Sequence, residues 1–437
     1  MSRAGAFAVA CVLALAGCGP GPGDPHRQIG PNPFLPPIHQ YLLPPMHLSS
    51  IVGWRAGEKP AVAAGLQIQA LATGLKNPRS LYVLPNGDIL IVETAGPKPP
   101  PIRRPKELVM NWMEKQTHSS AEGHDILLVR INAAGVPVLK SVFLDHLNSP
   151  FGVVLVGNDL YVADTDAILR FPYIAGDTRI TAPGVKLCDL PGGPIDHHWT
   201  KSLTASPDGT KLYAGVGSNS NITENGIEAE NDRASIWEID RQTGAHRLYA
   251  TGLRNPNGLT FEPQTHVLWA VVNERDELGP DLVPDYLTSV RDGGFYGWPY
   301  SYYGQHLDPR VRPQRPDLVA KAIMPDYALS SHVAPLGLVF YTGSNLPPAY
   351  RGGAFVGEHG SWNRSVLNGY KVVYVPFAGG NPSGTAQDVV TGFLTDGNKA
   401  HGRPVGLAVD GFGGLLIADD AGNTVWRVTA TAGPPGR

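Results

Sequence analysis

The chain of 437 residues contains 52 glycines and 41 prolines, and its 35 basic and 38 acidic side chains leave a formal charge of −3. The near-neutral charge excludes an electrostatic surface for nucleic acid, and a hydrophobic content of 42% excludes a disordered chain. Glycine and proline in these numbers interrupt long helices, so the composition favours an all-β protein built from many short strands.

The first 60 residues indicate export and attachment to a membrane. Residues 1–17 resemble a bacterial lipoprotein signal peptide, because Arg3 precedes an apolar run too short to span a bilayer and small residues stand directly before Cys18. We predict that Cys18 carries lipid, which places the protein in the periplasm or on the outer surface and ties it to the membrane only through this anchor. An ordinary signal peptide ending near a cysteine is the alternative. Residues 18–60, rich in proline and glycine, are predicted to be a tether.

One short pattern recurs six times and sets the architecture. It consists of Pro (once Thr), any residue, Gly or Ser, and then Leu or Val opening a strand. We call these tetrapeptides the anchors; they stand at 78–81, 150–153, 200–203, 256–259, 335–338 and 404–407. After most anchors, a turn such as the Asn86-Gly87 pair separates two apolar runs, which is the strongest local signal for a hairpin. Six units of this kind predict a six-bladed β-propeller over residues 61–430, followed by a tail at 431–437.

Closure of the ring and two insertions follow from the same register. The alternating segment 66–71 is predicted to add a strand to the last blade, because the edges of the first and last blades must be hidden. The longer spacings indicate insertions at about 97–123, with a helix predicted around 107–115, and at about 276–330. Long loops on a rigid scaffold commonly shape a binding site.

The residues just before each inner strand should converge on one end of the central channel. They are Lys76, Asn77, Asn148, Ser149, His197, His198, Trp199, Arg254, Asn255, His332, His401 and Arg403. Such a cationic, amide-rich cup suits a planar, polyanionic ligand with carbonyl oxygens, and a neutral histidine in it could accept a hydroxyl proton. Solvated loop charges are the alternative for any single residue. The acidic stretch at 273–277, with Asp281 and Asp285, could hold calcium or be a solvated turn.

Three further motifs carry a resemblance to a known family. They are GLRNPNGL at 252–259, GGFYGWP at 293–299 and GEHGSWNR at 357–364. In this order they resemble the glucose/sorbosone dehydrogenases, which are soluble quinoproteins that carry pyrroloquinoline quinone (PQQ) on a six-bladed propeller. The similarity runs from about 65 to 430, and the sorbosone dehydrogenase branch is the more similar one.

The resemblance implies roles for individual residues. His198 matches the family's general base, Arg254 and Asn255 match a pair that contacts the quinone, and Arg403 matches an arginine near its carboxylates. The loop at 274–277 matches the place where backbone carbonyls hold calcium beneath the cofactor. We therefore expect Ca²⁺ at a site formed by the backbone carbonyls or carboxylates of Glu274, Arg275 and Asp276.

Several positions depart from the glucose dehydrogenase pattern. The acidic partner of the base is replaced by Ser218 or Asn219, and a cofactor lysine by His359 or a neighbour. A second arginine near Arg403 is replaced by His401, and a Gly-Pro calcium loop by Glu-Arg-Asp-Glu. These differences leave glucose in doubt as the substrate.

The sequence thus predicts an enzyme, a PQQ- and calcium-dependent oxidoreductase that oxidises a sugar, sugar aldehyde or polyol by hydride transfer to the quinone. No Cys-x-x-Cys-His motif for haem attachment is present, so electrons would pass to a separate external acceptor. Two alternatives remain: a calcium-dependent lactone hydrolase, which needs carboxylates in the channel, and a non-catalytic binding propeller.

Overall fold

The computed structural model describes residues 24–41, 46–97 and 123–431. Within these ranges, six sheets of four or five strands follow one another along the chain, and their strands pair antiparallel except for Gly294–Phe295, which pairs parallel with His246–Thr251. The first strand of each sheet contacts the first strand of the next, and that of the sixth contacts that of the first. The predicted six-bladed propeller is therefore confirmed, with the first strands around the central channel.

The blades are numbered in chain order, and their strands run from the inner to the outer edge. Blade 1 contains Pro78–Val83, Ile89–Thr94, His124–Ile131 and Pro137–Leu144. Blade 2 contains Gly152–Val156, Asp159–Ala163, Ala167–Pro172 and Val185–Asp189. Blade 3 contains Leu203–Ala205, Lys211–Val216, Ser235–Asp240 and His246–Thr251, with the short strand Gly294–Phe295 added at its edge.

Blades 4 to 6 follow the same order. Blade 4 contains Asn255–Phe261, Leu268–Asn273, Pro284–Ser289 and Tyr327–Ser331, with Ile29–Gly30 at its edge. Blade 5 contains Pro335–Phe340, Ala354–Glu358, Lys371–Val375 and Gln387–Thr391, with Ala61–Val62 at its edge. Blade 6 contains Pro404–Val409, Leu415–Asp419, Thr424–Ala430 and Leu66–Ala72.

Small hairpins and short helices occupy the connections. The hairpins are Ser301–Tyr302 with His306–Leu307 and Phe377–Ala378 with Asn381–Pro382. The 3₁₀-helices are Pro25–Gln28, Ile227–Glu230 and Pro348–Tyr350, and the α-helix is Pro316–Val319. In the described part of the chain, no helix is long and apolar enough to span a bilayer. The insertion predicted at 276–330 supplies the third and outer strands of blade 4, whereas the region predicted to be helical around 107–115 lies outside the described residues.

The small residue of each anchor is required by the close approach of neighbouring inner strands. A Cβ atom built on Gly258 would lie 2.8 Å from the backbone nitrogen of Leu338 in blade 5. One built on Gly406 would lie 2.7 Å from the carbonyl oxygen of Arg79 in blade 1. The backbone of the adjacent blade cannot give way to a side chain there, so these positions stay small.

The variable residue of the anchors lines the channel. Phe151 of blade 2, Leu336 of blade 5 and Val405 of blade 6 form one buried apolar cluster. Blade 2 is not a neighbour of blade 5 or blade 6, so this contact crosses the axis of the ring. The channel is therefore filled with side chains at this level, and a ligand can bind only on top of the cluster.

The ring closes as predicted. Leu66–Ala72 pairs antiparallel with Thr424–Ala430, from Leu66 opposite Ala430 to Ala72 opposite Val425. The core continues across the junction, because Leu81 and Ile91 of blade 1 belong to the same buried cluster as Leu416 of blade 6.

The N-terminal segment, predicted to be a tether, packs on the propeller in its described parts. Ile29–Gly30 pairs with the outer strand of blade 4. Further along, the indole of Trp54 donates to the Asp419 carboxylate at 2.7 Å. The structure therefore differs from the prediction for residues 24–41 and 46–60, whereas Cys18 and the signal sequence lie outside the described residues.

Candidate active site

Two sets of residues meet at one end of the propeller. Because the first and second strands of a blade are antiparallel, the start of the first lies beside the end of the second. Asn255 thus stands opposite Asn273 in blade 4, and Pro404 opposite Asp419 in blade 6. We call this end of the channel, with the loops around it, the mouth.

His198 is held at the mouth in one tautomer. Its Nδ1 atom lies 2.8 Å from the Ser218 carbonyl oxygen and 3.1 Å from the Ser218 hydroxyl. A carbonyl oxygen can only accept, so Nδ1 carries the proton and Nε2 carries the lone pair. Ser218 thus occupies the place of the missing acidic partner and orients the imidazole through its backbone.

The surroundings of His198 keep the imidazole neutral. Burial, and then the positive charges of Arg254 and His197, hold the pKa of His198 well below its ordinary value. A neutral imidazole with its lone pair on Nε2 can accept a proton at neutral pH, as a general base must.

Gly217 allows Asn255 to lie beside His198. A Cβ atom built on Gly217 would lie 2.5 Å from both the Asn255 side-chain oxygen and the His198 Cβ atom. The Asn255 side-chain oxygen is buried and has no hydrogen-bond partner within the described ranges. The base and an amide with unused capacity are therefore neighbours.

Several hydrogen bonds fix the position of the Arg254 guanidinium. Its Nε donates to the Asn221 carbonyl at 3.1 Å and its Nη1 to the Glu274 carbonyl at 2.7 Å. Its Nη2 donates to the Asn221 side-chain oxygen at 3.1 Å and to the Asp276 carboxylate at 3.3 Å. The guanidinium is 4% exposed, so it presents charge to the mouth from a fixed position.

The three residues of the predicted calcium site are distributed differently from the expectation. Arg275 is fully buried and donates to the Pro299 and Ser301 carbonyls, and the Glu274 carboxylate binds Arg275 at 2.9 Å. Both side chains therefore support the loop from behind. Only Asp276 reaches the mouth, where Asn363 donates to its carboxylate at 2.5 Å.

Asp276 is an ionised carboxylate among positive and polar groups. His332 Nδ1 lies 3.4 Å from it, and Arg254 pairs with its other oxygen. Burial opposes its ionisation, but the hydrogen bond to His332 and the Arg254 charge together lower the pKa of Asp276 below its ordinary value.

Two of the carbonyl oxygens expected to bind calcium, those of Glu274 and Asp276, already accept hydrogen bonds. The Glu274 carbonyl accepts from Arg254, and the Asp276 carbonyl accepts from Arg310 at 2.9 Å and from Asn221 at 3.2 Å. Among the described residues, no three His, Cys, Asp or Glu side chains are grouped so as to hold a metal. The loop as folded does not fit a calcium ion, and the carboxylate ligands that the lactone hydrolase hypothesis requires are not assembled there.

A second cluster lies across the mouth, in blades 5, 6 and 1. His359 Nε2 and Arg79 Nη1 both contact the same oxygen of Asp420, at 2.9 and 2.7 Å. Burial raises the pKa of Asp420, but the charges of His359, Arg79 and Arg403 outweigh it and lower the pKa below the ordinary value. Asp420 thus holds the blade 5 histidine and the blade 1 arginine together.

Arg403 belongs to the same cluster and has a hydrogen-bond donor for which the described structure holds no acceptor. Its backbone N–H donates to Asp419 at 2.8 Å, its Nη2 donates to the Ser49 hydroxyl at 3.2 Å, and the guanidinium lies 5.7 Å from the centre of the Tyr370 ring. The Nε atoms of Arg403 and Arg79 are buried and meet no acceptor in the part of the chain that the structure describes. A bound anion could supply the missing acceptors.

His401 is placed differently from its predicted role. Its Nδ1 donates to the Gly53 carbonyl at 2.8 Å, and its ring stacks on Trp54 with 4.8 Å between centroids. His401 therefore fastens the N-terminal segment to blade 6.

Sequence reasoning missed the acidic residues and the N-terminal contribution. Glu93 is the penultimate residue of the second strand of blade 1, Asp164 directly follows that of blade 2, and Asp419 ends that of blade 6. Each accepts a backbone N–H that precedes the first strand of its own blade, at 2.7, 3.0 and 2.8 Å. The repeat register would have revealed these, and Asp420 beside them. Ser49 had no such signal, because its segment has no periodicity.

Aromatic residues of the predicted site divide into core and mouth. Tyr296, Trp298 and Tyr302 are buried, and Trp298 donates to the same Asn221 carbonyl as Arg254, at 3.0 Å. Trp199 is half-buried and lies under the Arg79 guanidinium, with 5.6 Å to the ring centre. Trp362 is also half-buried. Trp199 and Trp362 are therefore the more accessible of these five aromatic residues.

Comparisons with known proteins agree with the fold and the motifs. Residues 163–373 match the family model described as Glucose / Sorbosone dehydrogenase, and residues 317–431 match one described as TrAA12-like. An uncharacterized protein of Borreliella burgdorferi is 29% identical over 294 residues, which are 64% of this chain and 76% of that protein. A pyrroloquinoline quinone-dependent pyranose dehydrogenase of Coprinopsis cinerea is 27% identical over 301 residues, which are 54% of this chain and 40% of that protein.

The solved structures extend the likeness to the whole propeller. The holo form of the PQQ domain of the Coprinopsis cinerea pyranose dehydrogenase superimposes with a TM-score of 0.69 at 20% identity, covering 88% of this chain and 100% of that domain. At this identity the superposition shows a shared fold. Together with the family model, it confirms the predicted resemblance, without distinguishing the sorbosone branch.

Proposed function

We propose that this chain, a member of the glucose/sorbosone dehydrogenase family, is a PQQ-dependent dehydrogenase that oxidises a sugar, sugar aldehyde or polyol. The observation that carries the proposal is the state of His198. Its Nδ1 proton is committed to the Ser218 carbonyl, so a neutral imidazole offers the Nε2 lone pair beside Asn255.

The residues at the mouth fit a quinone that bears carboxylates. Arg79 and Arg403 each have a buried Nε donor with no acceptor among the described residues, and Arg403 has no carboxylate within ion-pair distance there. A carboxylate can accept from such donors in charge-assisted hydrogen bonds. Arg79, Arg403 and His359 would hold the anionic edge of the ligand, and Asn255 and Arg254 the side near the base.

Hydride acceptance from the substrate carbon is the chemistry that the bound quinone supplies. The protein's part is to move the proton and to stabilise charge. His198 Nε2 would accept the proton of the substrate hydroxyl, leaving the oxygen to form the carbonyl of the product. The fixed charge of Arg254 would stabilise negative charge that develops nearby, without reorganising during the reaction. We assign no step to calcium, because the carbonyls of the predicted loop already accept from Arg254, Arg310 and Asn221.

Reconstitution tests the proposal. Purified chain is mixed with PQQ, quinone binding is followed by tryptophan fluorescence, and dye reduction is measured across a panel of sugars, sugar aldehydes and polyols. His198→Ala should lower kcat by at least about 100-fold, the usual contribution of a general base, while quinone affinity stays within about threefold. His124→Ala, at an exposed histidine of blade 1, is the matched control.

Each result has a clear meaning. Full dye reduction by His198→Ala would refute the assignment of the base, and a failure to bind the quinone would refute the dehydrogenase. Hydrolysis of lactones without quinone would support the lactone hydrolase instead.

Export and electron transfer complete the proposal. The small residues before Cys18 support lipidation and a place on the periplasmic or outer side of a bacterial membrane, which radiolabelled palmitate and mass spectrometry of the mature N-terminus would test. Electrons would leave to a separate acceptor, since the sequence has no haem-attachment motif.

A further inference from the structure

The loop at 273–277 is crossed by guanidinium groups where the family resemblance leads one to expect a divalent cation. Arg254 donates to the Glu274 carbonyl at 2.7 Å, and Arg310 donates to the Asp276 carbonyl at 2.9 Å. A guanidinium in contact with a carbonyl repels a second cation at the same oxygen, more strongly inside a protein than in water. The two carbonyls are therefore unavailable to calcium in the observed arrangement.

Asn221, from the loop after the second strand of blade 3, locks this arrangement. Its carbonyl and its side-chain oxygen both accept from Arg254, and its side-chain oxygen also accepts the Asp276 backbone N–H at 2.8 Å. Its Nδ2 donates to the Asp276 carbonyl. Release of Arg254 would take this buried donor from the Glu274 carbonyl, whereas Asn221 would keep its bonds to Asp276 and Trp298.

The charges around the loop balance among themselves. Arg275 pairs with Glu274 at 2.9 Å and with Asp308 at 3.3 Å. Asp308 also pairs with Arg310 at 2.8 Å, and Asp276 pairs with Arg254 at 3.3 Å.

Three arginines thus oppose three carboxylates. Calcium in proteins takes oxygen ligands, with carboxylates among them. In these pairs each carboxylate is already in contact with a guanidinium.

We propose that Arg254 and Arg310 take the place of the divalent cation, so that this chain binds its quinone without calcium. The inference rests on the proposed function. It assigns to two side chains of the protein the positive charge that a metal would bring to the same loop, and it explains why a Glu-Arg-Asp-Glu sequence can stand where a Gly-Pro loop was expected.

The test compares quinone binding with and without calcium. The full chain is stripped with a chelator, and PQQ binding is measured by tryptophan quenching in chelator and in excess calcium, with bound metal counted by mass spectrometry. The dissociation constant should change by less than about twofold between the two conditions. The thermal midpoint of the apoprotein should likewise not move with calcium.

A matched pair of variants sharpens the test. Arg310→Met removes one of the two donors to the Asp276 carbonyl, the one that carries a positive charge, so calcium should now tighten quinone binding by about threefold or more. Arg312→Met, at an exposed arginine two residues away, should behave like the wild type.

The outcomes separate the two claims. Quinone binding by the wild type only in the presence of calcium overturns this inference and leaves the proposed function standing. No binding in either condition overturns the proposed function, and this inference with it. If Arg310→Met does not fold, the wild-type comparison alone decides.

Discussion

The two sides of the mouth differ in whether their buried arginine donors have acceptors within the described structure. On the side of blades 3 and 4, Arg254 is saturated by acceptors from the protein, and a histidine is fixed in one tautomer. On the side of blades 5, 6 and 1, Arg79 and Arg403 keep buried donors for which the described structure holds no acceptor. A buried donor left unpaired costs about 1–3 kcal/mol. The Arg254 guanidinium is therefore satisfied by the protein, whereas the Nε donors of Arg79 and Arg403 would be satisfied by a bound anion.

The largest expected effect separates the two sides by stability. Arg254→Met should lower the free energy of unfolding of the apoprotein by about 3–5 kcal/mol, because Asp276 and the Glu274 carbonyl lose a buried partner. Arg403→Met should lower it by less than about 1 kcal/mol and weaken quinone binding about tenfold. Urea unfolding and fluorescence titration measure the two quantities. Equal losses of stability would mean that the sides do not differ.

The next effect concerns the contact between His198, the proposed base, and the side-chain amide of Asn255. Gly217→Ala should reduce kcat/KM by about 100-fold, because the added methyl group displaces His198 or Asn255 from its position. Gly397→Ala places its methyl group 3.8 Å from the nearest atom and should leave kcat/KM unchanged. Steady-state kinetics of the two reconstituted variants decides the matter, and an active Gly217→Ala enzyme would show that this contact is not needed.

The pH profile tests the electrostatic character of the first side. The base must be neutral, and burial and Arg254 hold the pKa of His198 well below 6.5. The acid limb of kcat/KM should therefore lie below pH 6.5, with a flat profile from there to neutrality. Arg254→Lys keeps the charge and should leave the limb in place, whereas Arg254→Met removes the charge and should move the limb to higher pH. If the pH of the acid limb does not change when the charge at position 254 is removed, another residue is the base.

The smallest effect probes the contact from the N-terminal segment. The Tyr370 hydroxyl donates to the Ser361 carbonyl, so the Ser49 hydroxyl donates to Tyr370 and accepts from Arg403. Ser49→Ala should weaken quinone binding by about threefold, since Arg403 loses one neutral hydrogen bond that positions it. Ser50→Ala, at the exposed neighbour, should not. Equal affinities of the two variants would remove Ser49 from the site.

The sequence predicted whatever depends on the repeat. The anchors located the six inner strands because Gly258 and Gly406 must be small where blades touch, and the register then placed His198, Arg254 and Arg403 at one end of the ring. Residues 66–71 were assigned to blade 6 by the same reasoning, since closure leaves one edge to cover.

What the sequence could not predict depends on partners far apart in the chain. Trp54 and Asp419 are separated by 365 positions, and nothing in an aperiodic segment indicates which blade it contacts. That the Glu274 carbonyl accepts a hydrogen bond could not be predicted either, because the residue types do not show which group contacts a backbone atom. The resemblance implies a metal site that includes Arg275, and the residue types alone do not show that the Arg275 side chain donates to the Pro299 carbonyl.

The apolar cluster of Phe151, Leu336 and Val405 has a consequence for traffic through the molecule. This cluster fills the channel at one level, so in the proposed enzyme a sugar and an electron acceptor would not reach the site from opposite ends. In the proposed enzyme both would enter through the mouth, one after the other, and the oxidised sugar would leave before the acceptor binds. The reduced cofactor would then remain bound in the mouth until the acceptor arrives. The shape of the mouth would determine which sugars and which acceptors can enter.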